Sequence, residues 1–436
     1  MSAHRSDTKP RRFIGYRTAI LIVIANMVGT GVFTTLGLQA QAIPDGAALL
    51  VLWGLGGLVA LCGALCYAEL AAAVPRSGGE YHLLARTWHP ALGRLAGLVS
   101  VTVGFAAPVA LTAMALGQYA ATAVAWDPTH IAVATVLLVT ALHAVDVGLG
   151  GVFQVAATLV KIAVIAVFCV AGLAAGSVPD SAPLTPTGDT LGLIFSAPFG
   201  LALIFVAYAY SGWNAAAYVV DEVREPQRTV PRALVHGTLA VTALYLVLNL
   251  TFLRTTNLEE LAGTVEVGAL SARFLFGEGG GMLMSLALSL LLVSSISAMV
   301  LAGPRVIEVI GQDVPALRFL SARNRRGAPT RAVLLQQGLA LGFILTGSFE
   351  QVLTFAGFTL TLFALLTVVG QVRLRLREPE LPRPFRVPLY PLPPAIFILV
   401  SGAALFLVAR EQHTAVLIGV ALLLVGGWLL RGGRSQ

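Results

Sequence analysis

Apolar stretches of about twenty residues recur from one end of the chain to the other, and no other feature narrows its fold so far. In a bilayer, a lone segment of this kind can satisfy its backbone only as a helix. The stretches fall at residues 17–39, 46–74, 92–125, 130–145, 151–176, 191–220, 232–254, 279–303, 330–346, 350–371, 391–409 and 414–430. That makes about twelve spans, at roughly 36 residues of chain for each helix and loop. Strands of a membrane barrel are about ten residues long and alternate apolar with polar; these runs are longer and do not alternate. Of the 436 residues, 57% are hydrophobic and 11% charged. A soluble domain carries about 25% charged residues, so a soluble enzyme is excluded. The expected fold class is an all-α integral membrane protein.

The basic residues are sorted by loop. Twenty-four lie in the amino-terminal tail, in the loops after the second, sixth, eighth and tenth runs, and in the carboxy-terminal tail. The intervening loops hold three, Arg254, Arg273 and Arg410, and Lys161 is left inside a run. Cytoplasmic loops carry the Lys/Arg excess, which predicts a multi-pass protein of the cell membrane (the inner one, in a bacterium) with both termini inside. The net charge of +7 is then a topology signal and does not point to nucleic acid. Arg11 and Arg12 precede the first run as in a signal peptide, but the run is too long and lacks a small-residue cleavage site. It reads as a retained helix behind a tail at 1–16. Residues 374–390 are rich in proline and arginine and read as a cytoplasmic linker. The three cysteines sit in apolar runs and show no zinc-binding spacing, so no disulfide framework, metal or cofactor is expected.

Two runs are interrupted near their middles. The first contains Gly29-Thr30-Gly31, the sixth Tyr210-Ser211-Gly212-Trp213-Asn214. A single interior glycine is common packing in membrane helices. These two breaks, however, open two sets of five spans of opposite orientation, 17–176 and 190–373, with 391–436 holding the last two helices and a short tail. Paired broken helices at corresponding positions point to a transporter site. The outer half of the first span begins near Gly31, and such a helix start favours a carboxylate. Carbonyls near Asn26 and Met27, and near Tyr208 and Ala209, favour an ammonium group. A zwitterion with adjacent amino and carboxyl groups fits both poles without any charged side chain.

Over nearly its whole length the sequence resembles the amino acid–polyamine–organocation transporters. The residues that carry the resemblance are Gly29-Thr30-Gly31-Val32-Phe33, Tyr67-Ala68-Glu69-Leu70, Pro75-Arg76-Ser77-Gly78-Gly79-Glu80-Tyr81, Tyr210-Ser211-Gly212-Trp213-Asn214 with Glu222 and Pro226, and Gly303-Pro304-Arg305. Each motif is weak alone; their order is specific. The resemblance implies a LeuT-like fold, two inverted five-helix repeats plus two helices, with spans 1 and 6 unwound at the midplane. It implies that Met27, Gly29, Thr30, Gly31, Tyr208 and Ser211 contact the backbone of an amino acid, with Tyr208 as an aromatic gate. Thr30 departs from the serine more usual there. Gly212, Trp213 and Asn214 complete the candidate site. Trp213 faces substrate or packs, and Asn214 touches substrate or caps the inner half-helix.

Lys161 lies among apolar residues, where a charge costs roughly 2.5–3.5 kcal/mol. In the resembling family a lysine here stands where sodium-coupled relatives bind an ion, reaching a carbonyl near Gly29 and a hydroxyl among Ser294, Ser295 and Ser297. That implies sodium-independent transport, with Lys161 either cycling a proton or acting as a fixed charge. The first option makes a proton symporter, the second an exchanger or facilitator. No carboxylate occurs in the outer or middle parts of spans 1, 3, 6, 8 or 10, and Phe105, Ala106, Phe355 and Phe358 are candidate walls. Neutral L-amino acids are therefore expected, a polyamine or cationic amino acid being the alternative. An intramembrane enzyme is disfavoured because HExxH and GxSxG are absent. Glu69 and Glu222 form either an inner ion-pair gate or solvated pairs. His143 reads as an ordinary interfacial group. Family members that work with a single-span partner join it through an extracellular cysteine, and none is available outside the spans here, so a lone polypeptide is expected.

Overall fold

The computed structural model describes residues 12–145, 150–177, 181–313, 315–324 and 327–411. The last expected span, 414–430, lies outside these residues, as do most of the amino-terminal tail and Arg325, Arg326, Arg431 and Arg434.

All named elements are helical. In chain order they are α1 (Tyr16–Met27), α2 (Gly31–Ala42), α3 (Gly46–Ala73), α4 (Gly79–Thr87), α5 (Pro90–Val99), α6 (Ala107–Ala121), α7 (Pro128–Val145), α8 (Gly150–Ala175), α9 (Thr190–Ile194), α10 (Ala197–Ala209), α11 (Pro226–Thr255), α12 (Leu258–Leu261), α13 (Val267–Asp313), α14 (Thr330–Thr346), α15 (Phe349–Arg377) and α16 (Leu392–Glu411). Eight helical stretches among the described residues are long and apolar enough to cross a membrane, and α7, α10 and α14 are shorter apolar helices. Together they overlap every expected span except the last.

Local chemistry sets several boundaries. Asp45 caps α3 by accepting from the Ala48 N–H at 2.8 Å, and Ser348 with Gln351 forms a capping box at the start of α15. α5 and α6 are joined through a π-helical turn, Ser100–Ala106. Pro108 follows at once and has no N–H to offer the preceding turn, a cause of such irregularity inside a span. α13 bends at Gly277 and runs on through Pro304 well past the expected end at 303. The stretch expected as linker is still helix up to Arg377.

Burial separates an inner from an outer ring. In the apolar window of α15, 72% of residues are buried; in that of α8, 33% are. The outer helices turn bare apolar side chains outward, among them Val167 and Val170 of α8, Leu283 and Leu290 of α13 and Leu399 and Phe406 of α16. Such a belt suits lipid and would not suit water. The inner helices surround the two interruptions.

Candidate functional site

α1 ends at Met27 and α2 begins at Gly31. Val28 leaves helical geometry at ψ 79°, and the Gly29 N–H folds back onto the Met27 carbonyl at 2.8 Å. The first N–H groups of a helix have no intrahelical acceptor, and the Thr30 side chain caps none of those of α2. A Cβ on Gly31 would stand 2.5 Å from the Ala209 Cα. Only glycine lets the start of α2 touch the end of α10.

α10 stops at Ala209, and no α-helix resumes before Pro226. The chain turns through Gly212 at φ +96°, where a Cβ would also lie 2.7 Å from the Asn26 carbonyl oxygen. It continues as two 3-10 turns, Ala215–Tyr218 and Val220–Glu222. The expected helix to residue 220 is thereby corrected: side-chain contacts, described below, hold this stretch in place of an α-helical ladder.

The carbonyl poles are not vacant, contrary to expectation. The Tyr245 hydroxyl of α11 donates to the Met27 carbonyl at 2.6 Å and lies 3.2 Å from the Ala209 carbonyl. With the Gly29 N–H, it uses both lone pairs of Met27. Ala209 keeps one. Sequence reasoning missed Tyr245, because a tyrosine in an apolar run reads as packing and nothing local marks its partners.

All nine residues expected at the substrate site line one cavity of about 620 Å³: Met27, Gly29, Thr30 and Gly31 from the first break, Tyr208, Ser211, Gly212, Trp213 and Asn214 from the second. The π-helical turn adds Ser100, Gly104 and Phe105. Ala106 and Phe358 are buried in packing instead, and Phe355 joins an apolar cluster with Tyr208, Val352 and Leu353. Farther along α15, Leu360, Thr361, Phe363 and Ala364 take the wall those residues were expected to form. In the other direction the cavity reaches Arg76, Asp221 and Arg305. Beside Tyr208 lies the apolar cluster of Val352, Leu353 and Phe355, and the cavity extends toward the arginine-rich end.

Trp213 has both roles considered for it. It lines the cavity and packs edge-on against Tyr67 and Phe397, with ring centroids 4.7 and 6.2 Å away. Asn214 does not cap the turn that follows it. Its amide donates at 2.5 Å to Glu80, a buried carboxylate in the cavity wall that the sequence showed only as part of a motif.

Lys161 is 3% exposed and lies outside the cavity lining. Its ammonium donates to the Val28 carbonyl at 2.9 Å and the Ser295 hydroxyl at 2.7 Å. The buried Ser294 hydroxyl has no partner among the described residues, while Ser297 bonds to His143 Nε2 at 2.8 Å. His143 is therefore half-buried and engaged rather than an ordinary interfacial group. Glu69 is not a solvated pair either. It is buried against Arg375, with Arg383 at 3.6 Å, and accepts from Gln371 and the Val387 N–H, each at 2.8 Å. Those bonds tie α3 to α15 and to the proline-rich stretch. Glu222 takes no part in them; its backbone carbonyl accepts from Phe13 and Ile14.

A multi-pass helical bundle whose cavity is walled by two helix breaks has the build of a membrane carrier for a small solute. The family described as amino acid permease matches residues 14–428, and the chain belongs to that family. It is 28% identical over 429 residues to the serine/threonine exchanger SteT of Bacillus subtilis, covering 96% of this chain and 97% of that protein. It is 27% identical over 416 residues to the b(0,+)-type amino acid transporter 1 of Mus musculus, covering 92% and 84%. It is 26% identical over 432 residues to the large neutral amino acids transporter small subunit 2 of Mus musculus, covering 95% and 80%. These relatives are transporters and not enzymes.

Proposed function

We propose that the protein is a sodium-independent transporter of neutral L-amino acids that works by alternating access, as an exchanger or a proton-coupled symporter. The reading rests on one observation: the start of α2 and the end of α10 face a single cavity. The substrate carboxylate settles on the N–H groups near Gly31, and its ammonium on the remaining lone pair of Ala209 and neighbouring carbonyls. Tyr208 covers it on the side of the apolar cluster. Two inverted repeats carry the breaks, the arginine-rich end is cytoplasmic, and the chain acts without a partner subunit. Neutral substrates are favoured because the buried carboxylate in the wall, Glu80, already accepts three hydrogen bonds. Two of the relatives are named for serine/threonine and for large neutral amino acids. The ammonium of Lys161, held between Val28 and Ser295, takes the place of a sodium ion.

The test is uptake of labelled serine and leucine into proteoliposomes, empty or preloaded, in sodium or choline buffer, with an inward proton gradient. Equal rates in the two buffers are expected, and a strict sodium requirement would overturn the reading. Accumulation in empty vesicles identifies a symporter; uptake confined to preloaded vesicles identifies an exchanger. Stronger competition by lysine or putrescine than by leucine would move the substrate to the cationic class.

A further inference from the structure

Glu80, at the start of α4, is buried and lines the cavity, yet no basic side chain pairs with it among the described residues. Oε1 accepts from the Tyr67 hydroxyl at 2.8 Å and from Asn214 Nδ2 at 2.5 Å, and Oε2 accepts from the Tyr218 hydroxyl. Neutral donors alone hold the charge. Two of them, Asn214 and Tyr218, belong to the stretch after the second break. Charged groups on the packed neighbours are engaged elsewhere: Arg375 with Glu69, Arg373 over the Trp88 ring, Arg86 with Glu378. Arg76, Asp221, Glu222 and Arg305 line the same cavity, and Arg94 of α5 and Arg377 of α15 form no ion pair among the described residues. His82, one turn along, faces Arg76 and Asp221, and burial together with the Arg76 charge holds it below its usual range.

From this arrangement we infer that Glu80 is a proton-binding site of the cavity, and that its protonation reverses its hydrogen bond to Tyr218 in the stretch after the second break. Asn214 Nδ2 can only donate, so it keeps Oε1 an acceptor and directs an incoming proton from cavity water to Oε2. The protonated Oε2 donates to the Tyr218 oxygen, and the Tyr218 hydrogen must turn away. The acceptor is at hand: the Ser100 hydroxyl of the π-helical turn interacts with Tyr218 and donates its own hydrogen to the Ala96 carbonyl at 2.9 Å. Protonation thus reverses the bond between Glu80 and Tyr218 and turns the freed Tyr218 hydrogen toward the π-helical turn, and loss of the proton to cavity water restores the first arrangement. Lys161, sealed off from the cavity, has no such exchange path in this conformation.

The inference rests on the transport reading, so its test has one readout that does not. The full chain in proteoliposomes is titrated from acid to neutral pH and followed by infrared spectroscopy and by exchange of labelled serine at equal pH on both sides. A protonated carboxylic acid band should appear on acidification and be missing from Glu80→Gln. Over the same interval the exchange rate should change about tenfold in the parent, roughly one pH unit's worth of titration, and little in Glu80→Gln. Tyr218→Phe removes a donor to the ionised form, so its midpoint should move to higher pH; this covers the case in which Glu80→Gln does not fold. A band and profile that persist in Glu80→Gln, that are unmoved in Tyr218→Phe, or that vanish in His82→Gln instead, would overturn the inference. If serine is not exchanged at any pH, the transport reading falls, and the infrared band still decides whether Glu80 binds a proton.

Discussion

The two breaks solve one problem in different ways. The first is short: α1 stops, the chain crosses residues 28–30, and α2 resumes. Its exposed backbone groups are met by Gly29, Tyr245 and Lys161. The second never returns to α-helix within its span, and its continuation is pinned by side chains from elsewhere. Asn214 and Tyr218 meet Glu80, and Ser77 exchanges hydrogen bonds with Asp221 at 2.9 and 3.1 Å. A stretch without a backbone ladder is only as firm as its pins. The first break therefore suits a fixed binding surface, and the second a part that rearranges.

Substitutions can break or sharpen this contrast, and the largest effect belongs to the point where the breaks touch. Gly31→Val drives a side chain into the Ala209 backbone, and substrate affinity should fall by about 100-fold or more, read by scintillation proximity binding, with a cooperative thermal transition still present though lowered. Wild-type affinity in that variant would remove the binding site from the breaks. Gly212→Ala comes next: its φ of +96° and the nearby Asn26 carbonyl should lower the transition by several degrees and cut uptake about tenfold. Tyr245→Phe removes the one hydroxyl donor set between the Met27 and Ala209 carbonyls, a cost of about 1–3 kcal/mol. Turnover should drop by roughly tenfold through misalignment of α1 with α10; an unchanged maximal rate would show that this hydroxyl only fills space. Smallest, Ser77→Ala loosens the second break alone and should lower exchange about threefold without altering substrate affinity. An affinity loss there as large as that of Gly31→Val would erase the distinction between a fixed and a movable break.

Much of this was legible in the sequence because it is written in local terms. Apolar runs long enough to cross a bilayer need no tertiary context, and they located every described span. Interior glycines at corresponding places in two spans mark the breaks, and the residues around both line the cavity. What escaped was decided at a distance. Ala215-Ala216-Ala217 has high helix propensity, yet tertiary contacts impose 3-10 turns. Tyr245 and Glu80 find their partners on other segments, with nothing in their own neighbourhoods to announce it. Phe355 and Phe358 have the right residue type at the wrong height along α15: Phe355 packs in the apolar cluster beside Tyr208 and Phe358 in the main core. Glu69 is charged and near a helix end, which reads equally as an ion pair or as solvated until Arg375 and Arg383 are seen beside it.

The amino-terminal strip adds a mechanical consequence. The Phe13 and Ile14 N–H groups donate to the Glu222 carbonyl at 3.0 and 2.9 Å, and the Arg224 N–H returns a bond to Ile14 at 2.9 Å. This short pairing yokes the entrance of α1 to the far end of the stretch after the second break. Neither segment can swing away alone without shedding all three bonds; moving together, they shed none. On the alternating-access reading, this end opens as one hinged door in place of two independent flaps. On that reading, a carrier that must keep one side shut draws part of its discipline from a few backbone bonds at the edge of the molecule.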